Sequence, residues 1–314
     1  MPNLLASKNK MLGRGAFSRV VREGPNAVKI IDVEDQRPPH NWRAEIAALR
    51  ELSDCKNVVP LLNVTESMSG LDREVRLHMP CYALTLEQVI FREAKANYPP
   101  GSGWRNAMSP TKIVTILTGI ASALAAAHEH GIIHRDVKPE NIMFLEENGV
   151  AVLESLVLID FGVSYVPSVR APFETAESKV CDIGTGEYKA PEALYGLNYS
   201  RNIDIWSLGC IAARLISSDA AVLFSPYNSD LGLISAQFQL LGRPQISKCP
   251  SIKDTAVAHM ASNEPQVSNL RLGRLANNPV MQQLLTMTQQ MLSYEPQSRP
   301  TAKELLQALS ALSE

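Results

Sequence analysis

The run IIHRDVKPENIMF, from Ile132 to Phe144, followed by LIDFG ending at Gly162, constrains this chain more than any other part of it. It sets Asp136, Lys138 and Asn141 in one short loop and places a second aspartate, Asp160, after the apolar run LVLI. Alone, an aspartate and a glycine around Phe161 read as a strand ending in a tight turn. Order and spacing carry more. The interval from Asp136 to Asn141 lets one loop present a carboxylate and an amide oxygen to the same cleft, and Asp160 returns on the next strand pair to face them. A phosphoryl group in transfer needs a carboxylate to orient the attacking hydroxyl, cations around its oxygens, and oxygen ligands for a metal ion. These residues supply all three.

With the glycine-bearing stretch MLGRGAFSRVV, the strand-like AVKI at 27–30 and the string GTGEYKAPE, the chain resembles the protein kinase superfamily. The resemblance runs from the glycine loop near Gly13 to Arg299. It implies an α+β fold in two lobes: a small β-rich N-terminal lobe with the hinge over 1–82, and a larger, mainly α-helical lobe over 83–314. The reaction it implies is transfer of the γ-phosphate of ATP to a protein serine or threonine. Asp136 would orient the acceptor hydroxyl, Lys138 would stabilise charge on the migrating group, and Thr185 would contact both. Asn141 and Asp160 would hold Mg²⁺, and Lys29, held by Glu45, would pair with the α- and β-phosphates. HRDVKPEN, with lysine two residues after the aspartate, matches serine/threonine kinases better than tyrosine kinases. Glu140 reads equally as a solvated carboxylate or as a contact for a basic residue upstream of the acceptor.

Gly13 and Gly15 would let a hairpin backbone press close over a polyphosphate, since glycine carries no Cβ. Ser18 stands where the family has a third glycine. The resemblance adds Val20 and Ala27 to the nucleotide contacts, with Met79 as gatekeeper and Pro80, Cys81 and Tyr82 as the hinge. Pro80 keeps its carbonyl and lacks only an N–H that adenine does not need. In NWRAEIAALREL, Trp42, Ile46, Leu49 and Leu52 follow helical spacing, with Glu45 on that helix.

Residues 92–110, with YPPGSGW and little periodicity, read as a surface insertion. Ser109 is a natural N-cap for the long helix that follows, with Pro110 in its first turn and Gly131 after its end. His128, His130 and His134 resemble a metal cluster, but no cysteine accompanies them, and the family explains His134 as packing beneath the catalytic loop. Residues 145–155 lengthen the strand pair before Asp160. Glu192 and Arg299 stand where the family has a buried ion pair, and Asp204 where it anchors the catalytic-loop backbone.

With 314 residues and a formal charge of −2, the chain has no strong overall field favouring nucleic acid or an anionic membrane. Its five cysteines form no CxxC pair, which suits a reducing compartment. Residues 1–10 lack a leader pattern and no run of about 18 apolar residues occurs, so neither secretion nor a membrane span is expected. A monomer in the cytoplasm or nucleus, acting on a protein substrate, is the expectation. DIWSLGCIAARLI and SDLGLISAQFQLLGRP resemble cyclin-dependent and related kinases, and VCDIGTGEYKAPEALYG resembles the single-subunit fungal kinases that activate them. A cyclin-dependent kinase is thus the expected protein partner. Val180 and Cys181 occupy the places where related kinases carry an activating phosphothreonine, so Asp182 reads equally as a permanent carboxylate for Arg135 or as a solvent-facing loop aspartate. Thr175 and Ser178 are the remaining candidates for a phosphorylation switch.

Overall fold

Alternation along the strand Asn26–Asp32 sets the layout of the N-terminal region. A computed structural model describes residues 10–69, 72–96, 104–224, 229–253, 255–261 and 277–312. Strands β1 (Lys10–Arg14), β2 (Ser18–Glu23) and β3 (Asn26–Asp32) lead to helix α1 (Trp42–Glu51), then to strands β4 (Asn63–Ser69) and β5 (Asp72–Pro80). They form one antiparallel sheet in the order β1-β2-β3-β5-β4. Because side chains alternate across a strand, Val28 and Ile30 turn to one face, where they form a small cluster with Val21. Lys29 and Ile31 turn to the other, and Ile31 joins the main core with Val75 and Leu77.

Helix α1 starts where Asn41 accepts hydrogen bonds from the backbone N–H groups of Arg43 and Ala44. Trp42, Ile46 and Leu49, three or four residues apart, bury one face and carry Glu45 inward with them.

Past the hinge come β6 (Leu84–Thr85) and α2 (Leu86–Glu93), the helix opened by a reciprocal Thr85–Gln88 capping box. A small hairpin of β7 (Ala94–Ala96) and β8 (Trp104–Asn106) follows. Part of the expected insertion at 92–110 is therefore ordered secondary structure; residues 97–103 lie outside the described residues. Helix α3 (Pro110–Glu129) opens at Ser109, which accepts the N–H of Lys112, and Gly131 after it takes a left-handed φ of 72°. By length and composition α3 could cross a membrane, but it is packed against β10 (Val150–Leu158), α5 (Asn202–Ile216) and α8 (Ala302–Ser310). Helices α4 (Pro191–Leu194), α6 (Asp230–Leu241) and α7 (Pro279–Met291) complete this region, and α5 is buried along its whole length.

Strand β9 (Ile142–Glu147) pairs antiparallel with β10 and with β6. Leu158 sits opposite Ile142, and the N–H of Ile159 donates to the carbonyl of Asn141 at 2.9 Å. That register brings Asn141, before β9, beside Asp160, after β10.

Candidate active site

The face of β3 opposite Val28 and Ile30 delivers Lys29 to two carboxylates. Its Nζ lies 2.6 Å from Glu45 Oε1 and 2.7 Å from Asp160 Oδ1. Burial alone would lower the Lys29 pKa, but Asp160 and Glu45 together outweigh it and hold the ammonium protonated above its ordinary range. Burial pushes Asp160 up, yet Lys29 dominates and keeps that carboxylate far below the usual value. Burial raises the Glu45 carboxyl against the opposing pull of Lys29. Its second oxygen, Oε2, is buried and has no partner among the described residues.

Asp204, 1% exposed, holds the catalytic loop. Its Oδ2 accepts the backbone N–H of His134 and a ring N–H of His128, and its Oδ1 accepts the backbone N–H of Arg135. These bonds secure Arg135 at a left-handed φ of 70°, a conformation that costs a non-glycine residue free energy and so needs such support. His134 packs edge-on against Phe161 and donates from Nε2 to the carbonyl of Ile159, which leaves Nδ1 to accept the N–H of Asp136. The rings of His128, His130 and His134, weighed in the sequence as a metal cluster, each make a hydrogen bond instead, His130 donating to the carbonyl of Ala126.

Around Asp136 the side chains close a network. Thr185 Oγ1 donates to Asp136 Oδ1 at 2.6 Å and accepts from Lys138 Nζ at 2.7 Å, while Lys138 Nζ also lies 2.8 Å from Asp136 Oδ2. Asn141 commits its amide nitrogen to the carbonyl and Oδ2 of Asp136, so its amide oxygen is the atom left for a cation. The Asp160 side chain is 46% exposed and also takes a left-handed φ, 63°. One carboxylate and one amide oxygen form a hard donor set, of the kind that holds a divalent cation together with phosphate oxygens and water.

The activation segment decides between the two readings of Asp182, in favour of the solvent-facing one. Asp182 is fully exposed, with its nearest cation Lys189 at 4.0 Å, and it does not reach Arg135. Glu174 does. Arg135 donates to both Glu174 oxygens, at 2.5 and 3.1 Å, and to Tyr199 Oη at 3.0 Å and the Val163 carbonyl at 2.5 Å. Glu174 Oε1 also accepts the N–H of Val180, whose carbonyl accepts the Tyr199 hydroxyl. The physical reason lies in the loop between them: the N–H of Thr175 bonds the carbonyl of Ser178, and the Thr175 hydroxyl accepts the N–H of Ser178. This turn folds Glu174 back beside Val180, whereas the chain at Asp182 faces solvent.

At the hinge, the Cys81 N–H donates to the Pro25 carbonyl at 3.1 Å, and Pro80 has no N–H. Of residues 80–82, Tyr82 therefore keeps the backbone donor for a purine edge. Ala27 pairs with Met79 and Val20 with Lys29 across the sheet, which puts all four at the cleft side of one ladder. Gly15 donates to the Ser18 carbonyl at 2.8 Å and closes the tip of the β1–β2 hairpin; Gly13 stands open. Farther off, Arg299 donates to both oxygens of Glu192 at 2.7 and 2.8 Å, both side chains buried. Two residues that the sequence did not single out meet beside this site, Phe17 and His40, whose rings lie edge to face at 4.8 Å, with the His40 ring within the field of Asp160 and Lys29.

Residues 6–309 match the family described as Protein kinase domain. The chain is a protein kinase. It is 27% identical to the serine/threonine-protein kinase CAK1 of Saccharomyces cerevisiae, over 93% of this chain and 94% of that protein. It is 28% identical to cyclin-dependent kinase B2-2 of Arabidopsis thaliana, over 96% and 90% of the two chains, and 32% identical to cyclin-dependent kinase B1-1 of the same plant, over 88% and 84%. It is a serine/threonine kinase of the cyclin-dependent-kinase-like group, and a kinase of this family uses ATP and a divalent metal ion.

Proposed function

We propose that this kinase transfers phosphate from MgATP to the activation-segment threonine of a cyclin-dependent kinase. The observation that carries the reading is the Glu174–Arg135 pair: an encoded carboxylate that orders the activation segment lets the kinase act without a prior phosphorylation, which suits one whose task is to switch on other kinases. Support also comes from the similarity to CAK1 and from the closed Lys29–Glu45 contact, made here by a single chain.

In the proposed mechanism Lys29, fixed by Glu45, holds the α- and β-phosphates. Asp136 orients the acceptor hydroxyl and takes its proton late, while Lys138 stabilises charge on the migrating phosphoryl group. Thr185 fixes the Asp136 and Lys138 side chains relative to each other. Asn141 and Asp160 are the residues that would hold Mg²⁺, which when bound neutralises phosphate charge. Mass spectrometry of a catalytically inactive cyclin-dependent kinase after incubation with this chain and MgATP tests the substrate. Phosphate on the activation-segment threonine supports the reading; phosphate on generic basic peptides but never on that threonine removes it and leaves a serine/threonine kinase with another protein substrate.

A further inference from the structure

The nucleotide lid of this kinase is the β1–β2 hairpin, and among the described residues Phe17 is the tip side chain that meets a ring outside the sheet, that of His40. Arg14, Gly15 and Ala16 are exposed, whereas Phe17 is half-buried, its ring edge-on to His40 with centroids 4.8 Å apart and planes at 68°. The lid has Ser18 in place of a third glycine; the backbone bond from Gly15 to Ser18 shapes the tip, and the Phe17 carbonyl accepts the N–H of Asp32 at a long 3.4 Å, which ties the tip to the end of β3 but not to α1.

His40, in contrast, is well attached. Its N–H donates to the Arg37 carbonyl at 2.9 Å, and the next residue, Asn41, donates its own N–H to the Gly162 carbonyl at 2.9 Å while capping α1. Helix α1 carries Glu45, and Gly162 lies two residues beyond Asp160. Burial pushes the His40 imidazole below its ordinary value, with Asp160 opposing, so the ring that meets Phe17 is neutral near pH 7.

From this geometry we propose that His40 is a positioning residue for ATP, a latch that holds the lid closed through Phe17 and ties it to α1 and to the Asp160–Gly162 turn. A lid fastened there reports the state of the Lys29–Glu45 contact, since moving α1 outward withdraws His40 from Phe17. The latch rests only on the use of ATP and not on the identity of the protein substrate.

Calorimetric titration of MgATP into the wild-type chain and into His40→Ala, Phe17→Ala, the double variant and His40→Phe tests it. An edge-to-face pair of this kind accounts for about a three- to tenfold loss of affinity in each alanine variant. The double variant should bind no more weakly than the weaker single one, and His40→Phe should recover most of the loss by restoring a ring. With a generic protein substrate, KM for ATP should rise by the same factor while kcat holds within about twofold. Amide exchange should quicken at residues 12–18 in both single variants. Should His40→Ala melt early, Phe17→Ala, which sits outside the main core, carries the same test. Unchanged affinity in Phe17→Ala, losses that multiply in the double variant, or a fall in kcat with KM unchanged would overturn the latch.

Discussion

Glu174 grips Arg135 with both carboxylate oxygens, in a pair whose side chains are 4% and 0% exposed. The same carboxylate accepts the N–H of Val180, so one side chain joins the catalytic loop to the middle of the activation segment. A phosphate bound to an arginine does the same work through charge-assisted hydrogen bonds, but only after another enzyme has attached it. Here the negative charge is encoded.

Glu174→Ala should therefore lower kcat steeply and loosen the activation segment, because it strands the buried Arg135 cation. Removing one partner of a buried pair costs about 3 to 5 kcal/mol. Asp182→Ala should change neither activity nor stability, since that side chain is fully exposed. Limited proteolysis of residues 165–185, alongside activity, checks both; a dead Asp182→Ala with an active Glu174→Ala would reverse the assignment.

Asp160→Asn should abolish metal-dependent ATP binding and also weaken the hold on Lys29, its partner at 2.7 Å. Asp136→Asn should leave nucleotide binding nearly intact and reduce turnover by orders of magnitude, as expected of a group that addresses the acceptor hydroxyl. Equilibrium MgATP binding separates the two, and equal loss of affinity in both variants contradicts the division of roles.

Much of this site is legible in the sequence because its chemistry restricts residue type and spacing together. Asp136, Lys138 and Asn141 share one loop, and the β9–β10 register returns Asp160 to them. Lys29 and Glu45 are legible through strand alternation and helix spacing, which turn both toward the same interior. Glu174 is not. Between Phe161 and Gly184 the activation segment carries three acidic residues, Glu174, Glu177 and Asp182. Which one reaches Arg135 depends on the turn at Thr175–Ser178, whose bonds are made within an irregular loop that no periodicity describes. The Phe17–His40 contact was hidden for the same reason, since it joins a hairpin tip to a segment before a helix.

Arg299→Leu should destabilise the fold by about 3 to 5 kcal/mol, since it leaves Glu192 buried and unpaired. The loss extends beyond the pair. Arg299 also donates to the carbonyls of Asn202 and Ser293, which therefore lose a donor as well. Denaturant unfolding measures the cost, and a change below about 1 kcal/mol would mean that water reaches the site.

The central claim is that one unmodified chain is a complete kinase. The direct measurement is the rate of phosphate transfer to a cyclin-dependent kinase by protein made in bacteria, treated with phosphatase, and given no other subunit. The account predicts full activity before and after phosphatase treatment, retained in a Thr175→Ala, Ser178→Ala double variant. Activity that vanishes with phosphatase, together with a dead double variant, would contradict it and require an upstream kinase.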